Sequence, residues 1–156
     1  MSHSRERHYY DVIRTEWSYV LGFSAALFLL ALALPVLGRL AGGRWVPRLS
    51  LLAAGGAALG GIANVVEDGL GQSWAFWGFV LSTATIVVAL LALTIVVAVS
   101  ARGRYRVLAI APGGTLVAIV GFVEVGGVVM LATWVVAAAL ALLLPARTSP
   151  LTAAPA

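Results

Sequence analysis

The chain has 156 residues, 62% of them hydrophobic, and its ten basic and six acidic residues make up only 10%. A soluble domain carries roughly 25% charged residues, so a water-soluble globule, a disordered chain and a coiled coil are excluded. Every basic residue is arginine and cysteine is absent, which removes disulfides, thiol catalysis, Cys-ligated metal centres and a lysine Schiff base.

The charges fall in clusters. They begin with a polar tail over residues 1–17, in which Arg5, Glu6, Arg7, Asp11, Arg14 and Glu16 stand. The charge-free runs 17–38, 49–66, 69–101, 107–123 and 125–146 follow. Crossing the hydrocarbon core takes about 20 apolar residues, within a range of about 17–25, and all five runs reach it. The expected fold is therefore all-α, a polytopic membrane bundle of five transmembrane helices over residues 18–146. The helices are predicted at about 18–38, 49–67, 74–100, 107–124 and 128–144. A short disordered tail at 147–156 follows. Runs such as Ala25–Leu34 and Val135–Leu144 do not alternate in polarity, which rejects a membrane barrel.

The first run is too long and its preceding tail too acidic for a signal peptide. Pro35, near its end, reads as a helix end. The last two runs are separated only by Glu124 and nearby glycines. A continuous helix over 107–144 would measure on the order of 57 Å against an apolar slab of roughly 30 Å. A turn at Glu124–Gly127 is expected instead, with Gly126 and Gly127 supplying the backbone freedom. Pro112–Gly113–Gly114, early in the fourth run, would break the helix, kink it or sit in its first turn.

Arginine-rich loops stay on the cytoplasmic side. Five spans place Arg39, Arg44, Arg48, Arg102, Arg104, Arg106 and Arg147 on one side, and all six acids on the other. The expected location is the cell (cytoplasmic) membrane, with the N-terminus outside and the C-terminus cytoplasmic. The lysine-free, Ala/Arg-rich composition points to a bacterial source. Topology accounts for the arginines, so no nucleic-acid partner is expected. The partners are the lipid bilayer and either further copies of the chain or another membrane protein.

A shift of 57 positions aligns Leu51 with Leu108, Gly56 with Gly113, Glu67 with Glu124 and Trp77 with Trp134. A tandem two-helix repeat, helices 2–3 and helices 4–5, accounts for this. So does shared hairpin composition without common ancestry, and the sequence leaves both open.

Glu67 and Glu124 stand at the outer ends of predicted helices 2 and 4. A carboxylate there faces the negative end of the helix dipole, and ionisable groups at such depths often mark ion or proton paths. Glu67, Glu124 and Asp68 are therefore candidates for an ion- or proton-binding site, with Arg14 as their ion-pair partner. Loop-flanking charge is the plainer account of all three acids. Gly56 and Gly60 form a GxxxG step continued by Asn64, and Gly113 and Gly121 occupy the matching face of helix 4. Small residues let helices approach closely in lipid, so this face reads as packing; a substrate groove lined by Asn64, Glu67 and the Ser82/Thr85 face is the alternative.

Both histidines, His3 and His8, lie in the tail. No metal, cofactor or catalytic residue is assigned, and enzyme activity is disfavoured. The expected function is a non-catalytic accessory, structural or oligomeric membrane subunit. The alternatives are a small proton- or cation-coupled transporter or channel using Glu67 and Glu124, and a lipid-processing membrane enzyme.

Overall fold

The computed structural model describes residues 17–121 and 126–144. The described residues contain five α-helices and no strand. They are α1 (Trp17–Ala41), α2 (Val46–Asn64), α3 (Ala75–Ser100), α4 (Ile110–Gly121) and α5 (Gly126–Leu143). A π-helical turn, Val65–Gly69, extends α2, and a 3-10 segment, Gly103–Ala109, leads into α4.

Three helical segments are long and apolar enough to cross a membrane: Val20–Ala41, Val46–Gly69 and Ala75–Ser100. The chain is a membrane protein by that measure. The fourth and fifth helices are shorter, with 12 and 18 residues.

Pro35 does not end α1, contrary to the sequence-based expectation; the helix runs on to Ala41. Ending it at Pro35 would strand a full set of backbone carbonyls among apolar side chains, a larger cost than the one donor that proline removes. The stop comes at Gly42 and Gly43, whose φ values of 69° and 88° only glycine adopts without strain. Pro112 sits in the first turn of α4 and is buried. Lacking an N–H, it cannot donate to the carbonyl of Leu108, so the α-helical ladder cannot run back through that turn. The preceding residues take the 3-10 form instead.

Consecutive helices pack against each other, α1 on α2, α2 on α3 and α4 on α5, while α4 and the 3-10 segment lean on α3. Glycines set the close approaches. Gly38 faces Ser50 and Gly61 lies under the Phe28 ring, which fixes α1 and α2 as antiparallel neighbours. Gly56 faces Ile86, Gly60 faces Ser82 and Gly78 faces Ala63, which does the same for α2 and α3. Leu34, Val46, Leu90, Leu93 and Val97 fill the space between them with no exposed surface. Leu29, Leu32, Leu81 and Val88 point outward, as lipid as the surrounding solvent allows.

Candidate functional site

Glu67 and Asp68 both lie in the π-helical turn at the end of α2 and are half-buried there. The amide of Leu70 donates to the carbonyl of Val65 at 3.0 Å, and that of Gln72 to Val66 at 3.0 Å. The wider turn carries one extra residue, which re-aims the side chains that follow; such insertions recur at functional sites. Gly69 closes it. A Cβ at Gly69 would stand 2.9 Å from two carbons of the Trp17 indole, so glycine lets the start of α1 lie against this turn without displacing that ring. Glu124 and Arg14, the remaining members of the candidate ion site, lie outside the described residues.

Asn64 precedes the turn and is 4% exposed. Its Nδ2 donates to Ser24 Oγ at 3.0 Å and to the carbonyl of Val20 at 3.3 Å. Both amide protons are thereby spent on α1. The expected single stripe of Gly56, Gly60 and Asn64 is thus divided. Gly56 serves the α3 contact, Gly60 meets both Ser82 of α3 and Leu27 of α1, and Asn64 serves the α1 contact. Each four-residue step overshoots a helical turn, and two of them rotate the face by about 80°. In α4 the matching Gly113 faces Thr94 of α3, and Gly121 is the last residue of the helix.

The expected groove lining also changes. An apolar groove of about 540 Å³ runs between the outward sides of α2 and α3, along Leu52, Gly55, Leu59, Ile62, Leu81 and Thr85. Neither Asn64 nor Glu67 lines it. Its two hydroxyls are engaged within their own helix: Ser82 Oγ donates to the carbonyl of Phe79 and Thr85 Oγ1 to that of Leu81, each at 2.8 Å. The groove is therefore mainly apolar, with both hydroxyl protons spent inside α3. No family model matches the chain, and neither a curated protein nor a solved structure matches it.

Ser24 escapes sequence reasoning, because a lone serine in a charge-free run carries no signal of its own partner. The same holds for Thr115, which accepts a hydrogen bond from Trp134 Nε1 at 2.9 Å while donating to the carbonyl of Ala111 at 2.9 Å. Replacing Asn64 by leucine should weaken the α1–α2 pairing. Interhelical hydrogen bonds in membranes average about 0.6 kcal/mol and reach about 1.7. A loss near the upper figure is expected, since two bonds go at once. Reversible unfolding in detergent measures it, and an unchanged unfolding free energy would mean that Asn64 does not tie the helices.

Proposed function

We propose that this chain is a five-span subunit of the cytoplasmic membrane, with the N-terminus outside and the C-terminus inside. In this reading it is a non-catalytic structural or accessory protein that works in association with another transmembrane chain. The open face between α2 and α3 carries the proposal. Gly55 lies in that groove with nothing within 4 Å of the position a Cβ would take. A glycine in mid-helix costs about 1 kcal/mol relative to alanine, a cost that close approach of another helix repays. With Ser82 and Thr85 satisfied internally, the fitting occupant is an apolar helix rather than a polar substrate.

α4 and α5 supply the fourth and fifth spans in this reading. With its 3-10 lead, Gly103–Gly121 is about 32 Å long, and α5 is about 27 Å, against a slab of roughly 30 Å. The tandem repeat fits the element boundaries: α2 covers 46–64, and the 3-10 segment with α4 covers 103–121, each displaced by 57 positions. The packing of the two copies has diverged. Trp77 is 68% exposed, while its counterpart Trp134 bonds to α4.

A second reading, a proton- or cation-coupled transporter using Glu67 and Glu124, is favoured by one observation, the half-buried carboxylates in a π-helical turn. One experiment separates the two. Native mass spectrometry after gentle extraction should show the chain bound to another membrane chain, a second copy or a different protein. Gly55→Leu, whose Cβ meets nothing within 4 Å, should release that partner without lowering the unfolding free energy. A monomer that conducts protons or cations in liposomes, and loses that flux in a Glu67→Gln, Glu124→Gln double variant, would overturn the subunit reading in favour of the transporter.

A further inference from the structure

The turn between α3 and α4 brings Arg102, Arg104 and Arg106 around one concavity of about 710 Å³. Val99 and Ser100, on the last turn of α3, form one wall, and Leu144, just past α5, forms another. Two of the guanidinium groups are fixed by the chain itself. Arg106 Nε donates to the carbonyl of Ala101 at 3.0 Å. Arg104 lies over the Tyr105 ring at 5.2 Å from its centroid, and its Nη2 donates to the Tyr105 hydroxyl at 3.3 Å. A guanidinium has five N–H donors, so one such bond holds the group in place and leaves most of its fork for a ligand.

The charge around this concavity is of one sign. The described acids, Glu67 and Asp68, follow α2 at the opposite end of α3. The neighbouring α1–α2 turn adds more positive charge: Gly43 abuts Ser100, with an added Cβ standing 3.7 Å from its Oγ, and Arg44 comes next in the chain. Arg44 and Arg48 both lie over the Trp45 ring, at 5.8 and 5.3 Å from its centroid, so this turn too holds its cations on an aromatic residue. Guanidinium forks match the oxygens of phosphate bidentately, and like charges gathered without acids are relieved by an anion.

We infer that this concavity binds a phosphate-bearing anion, an anionic phospholipid whose headgroup sits among Arg102, Arg104 and Arg106 and whose acyl chain lies along Val99 and Leu144. Val99 is 73% exposed and stands next to the arginines on the membrane side, which gives the site an apolar wall that free phosphate would not use. The assignment is independent of what occupies the α2–α3 groove.

The full chain in nanodiscs of equal phosphatidylglycerol and phosphatidylcholine, examined by native mass spectrometry, tests this. The wild type should retain phosphatidylglycerol preferentially, and an R102Q/R104Q/R106Q variant should lose that preference by about five-fold for each arginine removed. Leu144→Glu keeps every arginine and places a carboxylate in the pocket, so it should lose the preference even if the triple variant fails to insert. An R39Q/R44Q/R48Q variant removes equal charge from the adjoining turn but none from the lining of the concavity, and should lose far less of the preference. A second arm titrates inorganic phosphate into protein held in phosphatidylcholine alone. Thermal stabilisation that the R102Q/R104Q/R106Q change abolishes, without any lipid preference, would keep the site and assign it to free phosphate. Equal loss in both triple variants, or no retention of either anion, would overturn the proposal.

Discussion

Replacing Gly56 by leucine will part α2 from α3. The position is tight even for a methyl group. An added Cβ would stand 3.0 Å from Ile86 Cγ1, and 3.3 Å from the carbonyl oxygen of Ser82, which is backbone and cannot swing aside. Relief requires one helix to move, and that movement would open the contacts of Ala53, Ala57, Ala89, Leu90 and Leu93, all buried in the same core. Overpacking typically costs about 1–3 kcal/mol, and an obstruction by main chain belongs at the upper end. Gly55→Leu, one residue away in open space, is the matched control and should leave the fold unchanged. Reversible unfolding in detergent reads both. Equal stability of the two variants would mean that α2 and α3 do not meet at Gly56.

Gly114→Ile should open the α4–α5 hairpin with a comparable loss. A Cβ at Gly114 would overlap Thr133, whose Oγ1 is already committed to the carbonyl of Met130 at 2.8 Å. Thr133 is β-branched and has few rotamers to escape into. Displacing α5 also pulls Trp134 from Thr115, so relief of the clash takes a partly buried hydrogen bond with it. The indole reports the event directly. Trp134 fluorescence, read in a variant with the other four tryptophans replaced by phenylalanine, should shift to the blue in Gly114→Ile, as the indole exchanges the Thr115 hydroxyl for hydrocarbon. Unshifted emission would show that the two helices do not touch there.

Charge placement made most of the architecture legible. The ends of α1, α2, α3 and α5 fall close to the arginines and acids that interrupt the apolar runs, because lipid penalises a charge wherever the backbone happens to be helical. Facing directions were not legible in the same way. The stripe from Gly56 to Asn64 looks continuous at four-residue spacing, yet its rotation around the helix sends Asn64 to Ser24 and Gly56 to α3. Pro35 misleads because proline is a helix breaker in water, where freed carbonyls find solvent, and less so where they do not. The π-helical turn at Val65–Gly69 has no local sequence signal, and its neighbour Trp17 comes from a distant helix. The arginine concavity at Arg102–Arg106 was visible only as charge. Its apolar wall comes from Leu144, far along the chain.

Single-cysteine accessibility tests the topology most directly, because the chain has no cysteine of its own. Trp45→Cys, Ser73→Cys and Val125→Cys probe the α1–α2 turn, the α2–α3 turn and the connection between α4 and α5. A membrane-impermeant maleimide applied to intact cells should label positions 73 and 125, and should reach position 45 only after permeabilisation. Labelling of positions 45 and 73 from the same side would contradict a membrane-crossing α2, and labelling of position 125 only from the side of position 45 would contradict the five-span account.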